Sequence, residues 1–187
     1  MARTILKNAP AILALAALLT ATSPAHADSA PISFAGTVWE RVGQEKGLDP
    51  KLLYSVALAE TRRQWSDGLI RPWPWAIAEN GPKVRSHYPQ SLEEAKKILR
   101  DALTRTKNID IGVMQVNLLY HGHRIAAPED LLDIEKNIQV GADILREAMA
   151  SSKNKEVGVG RYHSWKPDIS PLYGKRVLYL VNALGGW

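Results

Sequence analysis

The sequence predicts a mixed α+β fold in which helices predominate. Segments with apolar residues at helical spacing recur along the chain, and helix-capping residues precede several of them. One segment rich in tryptophan and proline, followed by an Asn-Gly pair, interrupts the series and is typical of a β-hairpin. Since the chain has no internal repeat and no long linker, we expect one domain with a small hairpin insertion.

Residues 1–27 have the layout of a secretory signal peptide. Two basic residues precede an apolar run from Ala9 to Leu19, and Ala25-His26-Ala27 is a small-x-small cleavage pattern. The run is too short for a stable membrane span, and an uncut N-terminal anchor is the alternative interpretation. We therefore expect export to the periplasm and a mature domain over residues 28–187.

The charge balance of the mature chain is weakly basic. The sequence has 24 Lys+Arg and 19 Asp+Glu, and removing Arg3 and Lys7 leaves 22 against 19, about +3. The charges are dispersed, whereas a nucleic-acid-binding surface clusters them on one face, so no nucleic-acid partner is expected. The absence of cysteine excludes disulfides, thiolate metal sites and a lipid-modified cysteine.

Two helices and the hairpin are predicted in the first half of the domain. A first helix is expected over Ile32–Lys46, and a second begins with Asp49 as its N-cap and Pro50 at the first helical position. The second helix is apolar nearly all round as far as Ala59, so it should be buried. The segment Arg71–Trp75 cannot be the interior of a helix, because it contains two prolines. The expected strands are Trp75–Glu79 and Val84–Tyr88, joined by a turn at Asn80-Gly81.

The second half of the domain predicts further helices. Ser91 and Glu94 form a capping box that opens one helix, and Asp133 caps another. Residues Ile109–Asn117 are expected to be extended or loop. The expected helices run from Ser91 to about Arg105, briefly after Pro128, from Asp133 through Met149, over Val157–Trp165 and over Leu172–Leu184.

Glu60 is the first candidate for chemistry. It follows Val56 by four positions and Leu53 by seven, so it shares a helix face with apolar side chains. Apolar surroundings raise the pKa of a carboxyl group, which then stays protonated near neutral pH and can donate its proton to a glycosidic oxygen. The alternative is a solvated carboxylate that pairs with Arg62 or Arg63.

Five short motifs occur in order around and after Glu60. They are Ala57-Leu58-Ala59-Glu60-Thr61, Gly112-Val113-Met114-Gln115-Val116-Asn117, Asp133-Ile134-Glu135-Lys136-Asn137-Ile138 with Gly141-Ala142, Arg161-Tyr162-His163, and Tyr173-Gly174-Lys175-Arg176-Val177. Together they resemble the motifs of the family 1 lytic transglycosylases of the soluble (SLT) type, which have a lysozyme-like fold. The resemblance covers Phe34 to Leu184, with Thr61 where the family has serine and His163 where it has asparagine.

The resemblance implies an enzyme that cleaves the MurNAc-β-1,4-GlcNAc bond of peptidoglycan glycan strands. Glu60 would protonate the glycosidic oxygen and then, as a carboxylate, take the proton of the MurNAc C6 hydroxyl, which closes onto C1 as a 1,6-anhydro product. No cofactor and no metal is expected. His121 and His123, two positions apart, lack the pattern of a metal motif.

Seven residues are expected to bind substrate beside the catalytic Glu60. Gln115 offers donors and acceptors for N-acetyl and hydroxyl groups, and Gly112 permits the close approach of a sugar ring. Met114 either forms an apolar wall beside the sugar or packs in the core. The tyrosines either bond Glu60 or the substrate, or are core aromatics. The seven are Thr61, Met114, Gln115, Asn117, Tyr162, His163 and Tyr173.

The segment between Glu60 and the Gly112 motif is longer than in the simplest members of the family. This insertion resembles the subset associated with conjugative elements and specialised secretion systems, so components of such an apparatus are expected partners. The tryptophans of this region either stack on sugars or form a hydrophobic cluster. They are Trp65, Trp73 and Trp75.

Two other functions remain open at this point. A hydrolase of the goose-lysozyme kind would use Asp110 to activate water, because ordinary glycosidases need two carboxylates. A peptidoglycan-binding component of an envelope apparatus would need no chemistry, and Glu60 would then be structural.

Overall fold

Helices form the frame of the structure, and three of them begin at the caps that the sequence predicts, Asp49, Ser91 and Asp133. The structure is a computed structural model that describes residues 32–186, so the predicted signal peptide lies outside the described residues. Helices make up 53% of the described residues and strands 11%, which confirms an α+β fold dominated by helix. The α-helices are α1 Val38–Lys46, α2 Pro50–Thr61, α3 Leu92–Leu103, α4 Leu118–His121, α5 Ile134–Ala150, α6 Lys155–Gly160 and α7 Ser170–Ala183.

Helix α2 lies in the core, packed against α1 and α7. It starts as predicted, with the Asp49 carboxylate accepting from Lys51 N at 2.7 Å and Pro50 in the first turn. Helix α1 is shorter than predicted. It begins at Val38 because the Thr37 hydroxyl accepts from Glu40 N and caps it there, so the residues before Thr37 are not helical.

Six short strands form two small antiparallel sheets. One is a hairpin of β1 and β2 that the sequence did not predict. The other has the order β4-β3-β5-β6, so the predicted strand pair is confirmed, and the segment expected to be extended or loop adds two strands to it. Residues 80–84 connect the pair, so the connection is longer than the expected turn at Asn80-Gly81. The strands are β1 Arg62–Gln64, β2 Ile70–Pro72, β3 Ile77–Glu79, β4 Arg85–His87, β5 Ile109–Ile111 and β6 Val116–Asn117.

Helices α6 and α7 cross with their backbones in contact at two glycines. A Cβ added at Gly160 would lie 1.7 Å from Ser170 O, and one at Gly174 would lie 1.9 Å from Glu156 O. Helix α6 ends at Gly160, five residues before the predicted end at Trp165, and the chain then turns toward α7. This close crossing positions the segment after α6, which carries Tyr162 and His163, beside Tyr173 of α7.

Helix α5 runs through the domain and contributes much of the core. Ile138, Gly141 and Leu145 lie at helical spacing and are buried, whereas Ile134 in the first turn is exposed. The short helix expected after Pro128 is a 3₁₀ helix. Among the helices of residues 32–186, none has both the length and the apolar character that a membrane span requires.

Candidate active site

A cavity of about 570 Å³ opens where α2, β5, β6, α4, α5 and the segment after α6 meet. It brings together Glu60 and four of the seven predicted substrate-binding residues. Those four are Gln115, Asn117, Tyr162 and His163. Three asparagine or aspartate side chains that the sequence interpretation did not assign to substrate also line it. They are Asn80, Asn108 and Asp110.

Glu60 lies in the last turn of α2 and lines this cavity, with its side chain 15% exposed. The Tyr173 hydroxyl donates to Glu60 Oε1 at 2.5 Å. Burial raises the pKa of Glu60 to about 7, with a smaller rise from Asp110 that is opposed by the Tyr173 hydrogen bond and the Arg176 guanidinium. The alternative was that Glu60 pairs with a neighbouring arginine. Arg63 is not such a partner, because its guanidinium lies over the Tyr88 ring, 4.1 Å from the centroid.

His163 lines the cavity beside the Glu60 carboxyl group. Its ring stacks on Tyr173, with centroids 4.8 Å apart and planes at 4°, and its Nδ1 is 3.8 Å from Glu60 Oε1. Burial lowers the pKa of His163, which favours the neutral imidazole near neutral pH. Glu60, Tyr173 and His163 therefore form one group of side chains from three separate parts of the chain.

Asp110 lies in the middle of β5 and is held by two amides. Asn80 Nδ2 donates to Asp110 Oδ2 at 2.7 Å, and Asn117 Nδ2 donates to Asp110 Oδ1 at 2.7 Å. Burial raises the pKa of Asp110, while these two hydrogen bonds and His163 lower it. Asn117 thus orients Asp110 through its amide donor, although the sequence suggested that it would contact substrate directly.

Gln115 is the cavity residue with an unusual backbone. Its φ of 49° lies in the left-handed region, which a non-glycine residue adopts at a cost of about 1 kcal/mol or more and which is common at functional sites. Its Nε2 donates to Gly112 O at 2.9 Å and to Ala76 O at 3.0 Å, which holds the strained conformation. The side chain lines the same cavity as Glu60, but its Nε2 donates within the protein, so the donor that the sequence interpretation assigned to a substrate is already used and its Oε1 remains as the acceptor.

Thr61 and Met114 do not reach the cavity. The buried Thr61 hydroxyl donates to Ala57 O at 3.0 Å and Val113 O at 2.9 Å, and Met114 is buried beside Gly141. The expectation that these two residues contact substrate is wrong in this structure, because protein atoms occupy all their surroundings. Met114 follows its alternative, core packing.

Gly112 makes room for a side chain of the protein rather than for a sugar. Its φ is 81°, and an added Cβ would lie 2.3 Å from Asn137 Nδ2. The buried Asn137 amide donates to Ile111 O and Leu131 O and accepts from Met114 N at 2.8 Å. Together with the Tyr162 hydroxyl, which donates to Met114 O at 2.6 Å, it fixes the loop that presents Gln115.

Trp65 and Trp73 of the insertion pack on each other, and neither they nor Trp75 line this cavity. Trp73 is buried, donates from Nε1 to Pro89 O at 2.8 Å and packs on Trp65 with centroids 5.0 Å apart. His121 and His123 have ring centroids 6.5 Å apart. Across residues 32–186, histidine, aspartate and glutamate side chains do not gather in groups of three that would hold a metal ion.

Comparison of the chain with protein-family models, with curated proteins and with solved structures found no match. The chemistry that the cavity supports therefore has to be inferred from its own side chains. They provide one carboxyl group protonated near neutral pH, a second carboxylate fixed by amides, and polar groups suited to hydroxyl and N-acetyl substituents.

Proposed function

We propose that this protein is a peptidoglycan lytic transglycosylase with a lysozyme-like fold. It cleaves the MurNAc-β-1,4-GlcNAc bond and forms 1,6-anhydroMurNAc. The observation that carries the proposal is Glu60, a carboxyl group with its pKa raised to about 7, at the edge of a cavity large enough for sugar rings. The order of the five motifs along the chain adds to it.

Glu60 acts first as a general acid. In its protonated form it donates its proton to the oxygen that links MurNAc C1 to GlcNAc, and the bond from C1 to this oxygen breaks. Positive charge develops on the MurNAc ring as the bond breaks. The amide-bound carboxylate of Asp110, in the same cavity, stabilises this charge.

Glu60 then acts as the base. Its carboxylate takes the proton of the MurNAc C6 hydroxyl while the C6 oxygen bonds to C1, which restores protonated Glu60 and consumes no water. A pKa near neutrality suits a group that must give and take a proton in turn. The hydrogen bond from Tyr173 stabilises Glu60 between the two steps, when it is ionised.

Hydrolysis by two carboxylates is the second candidate reaction. The observation that favours it is that Asp110 lines the same cavity as Glu60 and interacts with it electrostatically. In that reaction Asp110 activates a water molecule that attacks C1, and the product has a reducing end. The two products differ in mass by one water.

Digestion of purified sacculi tests the proposal. The mature protein should release muropeptides with anhydro ends, and Glu60→Gln should lower the rate at least about 100-fold, since general acid catalysis contributes factors of this size. Glu93→Gln, an exposed glutamate on α3, is the matched control and should keep the wild-type rate. Release by Glu60→Gln at the wild-type rate would contradict the role of Glu60. Reducing ends would establish the hydrolase instead, and binding to sacculi without release by the wild type would establish the non-catalytic component.

The proposed location is the periplasm, and the proposed task is local opening of the wall for a conjugation or secretion apparatus. The motif and charge layout of residues 1–27 supports export. Expression of the full chain with an intact-mass measurement of the periplasmic product tests it. The expected mature protein begins at Asp28, and a product that keeps residues 1–27 would contradict cleavage.

A further inference from the structure

A second cavity, of about 520 Å³, lies in the insertion and shares no lining residue with the first. Its apolar walls are Trp65, Trp73, Pro74 and Trp75. The Trp73 Nε1 donates to Pro89 O, whereas the Trp65 Nε1 is buried and has no acceptor in the part of the chain that the structure describes. A buried donor without a partner is costly, so this cavity favours a ligand that combines apolar groups with an oxygen acceptor.

The cavity borders the hairpin of β1 and β2, which is a two-stranded sheet of its own. Trp73 N donates to Thr61 O at 3.0 Å, and Trp65 N donates to Leu69 O at 2.8 Å. In an antiparallel pair, residues that bond across to the partner strand alternate with residues whose N–H and C=O face away from it. Thr61, Arg63 and Trp65 therefore bond across the hairpin, and the backbone groups of the residues between them face the free edge of β1.

The free edge of β1 is a better template for another strand than the opposite edge of the hairpin. Its N–H and C=O groups belong to Arg62 and Gln64, and all of β1 is exposed. The residues opposite these two in the register are Pro72 and Ile70, and Pro72 has no N–H to donate. A strand that adds to the hairpin therefore pairs with β1.

The charges beside this edge determine which strand fits. Across residues 32–186, neither Arg62 nor Arg63 lies within ion-pair distance of a carboxylate, whereas Arg71 pairs with Asp67 at 2.7 Å. Pairing of two β1 strands from two copies of the chain would bring these arginines together, and like charges across a sheet are destabilising. The edge therefore favours a strand with acidic side chains over a second copy.

The alternation of side chains along β1 specifies the pattern of that strand. Arg63 and Trp65, which line the cavity, lie on one face, and Arg62 lies on the other, because successive side chains of a strand point to opposite faces. An added strand alternates in the same way. The side chains that it places on the Trp65 face meet the cavity, and those on the other face meet Arg62. The best occupant is therefore an extended segment in which apolar residues alternate with acidic ones.

We propose that β1 and the tryptophan cavity bind an extended segment of a partner protein by strand addition. Apolar side chains of the segment enter the cavity, and acidic ones lie beside Arg62. Backbone hydrogen bonds to Arg62 and Gln64 provide affinity, while the cavity and the arginine select the sequence. Because this surface shares no lining residue with the active-site cavity, a partner protein and a glycan strand bind at separate sites.

The test uses a phage-displayed library of random peptides about twelve residues long, selected on the mature protein. The enriched peptides should alternate apolar and acidic residues. The most enriched peptide is then synthesised with a fluorophore, and its affinity is measured by fluorescence polarisation.

Two pairs of variants locate the peptide. Gln64→Pro removes an outward N–H of β1 and leaves the bonds to β2 in place, so it should weaken binding at least about tenfold. Ile70→Pro, the matched control, removes an outward N–H at the opposite edge and should bind like the wild type. Arg62→Gln should weaken binding about three- to tenfold and reduce its salt dependence, whereas Arg100→Gln, an exposed arginine on α3, should change neither.

The absence of enriched peptides, or enrichment of peptides without acidic residues, would overturn the proposal. Equal affinity in the wild type, Gln64→Pro and Arg62→Gln would do so as well. A dimer in analytical ultracentrifugation that Gln64→Pro dissociates would assign the edge to a second copy and contradict the partner. Circular dichroism separates loss of binding from loss of the fold. None of these measurements requires turnover, so their outcome is independent of the chemistry proposed for Glu60.

Discussion

Replacement of Tyr173 by phenylalanine tests how the fold sets the proton affinity of Glu60. The change removes the hydroxyl that donates to Glu60 Oε1 at 2.5 Å and keeps the ring that stacks on His163. Because that hydrogen bond favours the ionised carboxylate, its loss should raise the pKa of Glu60 further above about 7.

The size of the rise follows from the energy of the bond. A hydrogen bond to a charged group contributes about 1.5–3 kcal/mol, and 1.36 kcal/mol corresponds to one pH unit. The Tyr173 hydroxyl also bonds protonated Glu60, although more weakly, and this reduces the difference between the two forms. We therefore expect a rise of about one pH unit.

The assay is the initial rate of release of soluble fragments from sacculi, measured across pH at low substrate concentration. The alkaline limb of the wild type, where Glu60 loses its proton, should lie near pH 7. In Tyr173→Phe it should lie about one pH unit higher, and in Tyr179→Phe it should not move. A limb that stays in place or moves to lower pH in Tyr173→Phe would refute the proposed effect of the Tyr173 hydroxyl.

Three further predictions concern stability, each measured by urea or thermal unfolding. Burial raises the pKa of Glu60 from 4.5 to about 7, so ionisation of Glu60 destabilises the folded wild type. Glu60→Gln should therefore be more stable than the wild type above pH 7 by about 3 kcal/mol and equal to it below pH 4.5. Equal stability at every pH would contradict this. Glu79→Gln should lose about 2–3 kcal/mol at pH 7, since Arg105 holds the pKa of Glu79 near 2, and the wild type should lose this advantage as the pH falls from 4.5 toward 2. Gly112→Ala should lose more than about 3 kcal/mol through the clash with Asn137, whereas Gly81→Ala should lose less than about 1.

Local patterns predicted the helix that carries the catalytic candidate. Asp49 and Pro50 marked its start, and the positions of Leu53 and Val56 placed Glu60 on an apolar face. These are contacts between residues at most seven positions apart, and helix geometry fixes them without knowledge of the rest of the fold. The raised pKa of Glu60 follows directly from that placement.

The environment of Asp110 depends on strand pairing, which the sequence did not predict. Asp110 pairs with Ala78 on one side and Asn117 on the other, which places its carboxylate between two asparagine amides. From the sequence, Asn80 was predicted only to be a turn residue. Its hydrogen bond to Asp110, thirty positions later, is not encoded in any local pattern. Residue composition does not fix such non-local pairs, because they depend on which strands become neighbours.

The surroundings of Gly112 and Met114 were open for a related reason. Gly112 was expected to let a sugar approach, and Met114 was expected either to face the sugar or to pack in the core. In the structure the side chain of Asn137 fills the space beside Gly112 and bonds the Met114 amide. A motif fixes the order of residues and leaves open which of them face the core. The burial of Met114 became apparent only once α5 was placed against the loop.

The proposed role of Glu60 requires a carboxyl group that stays protonated near neutral pH. The most direct measurement is a ¹³C NMR titration of the Glu60 side-chain carboxyl in the mature protein, assigned by comparison with Glu60→Gln. We expect an apparent pKa of about 7 for Glu60. A value near 4.5, the ordinary value for glutamate, would contradict it, because Glu60 would then be ionised at neutral pH and unable to protonate the glycosidic oxygen.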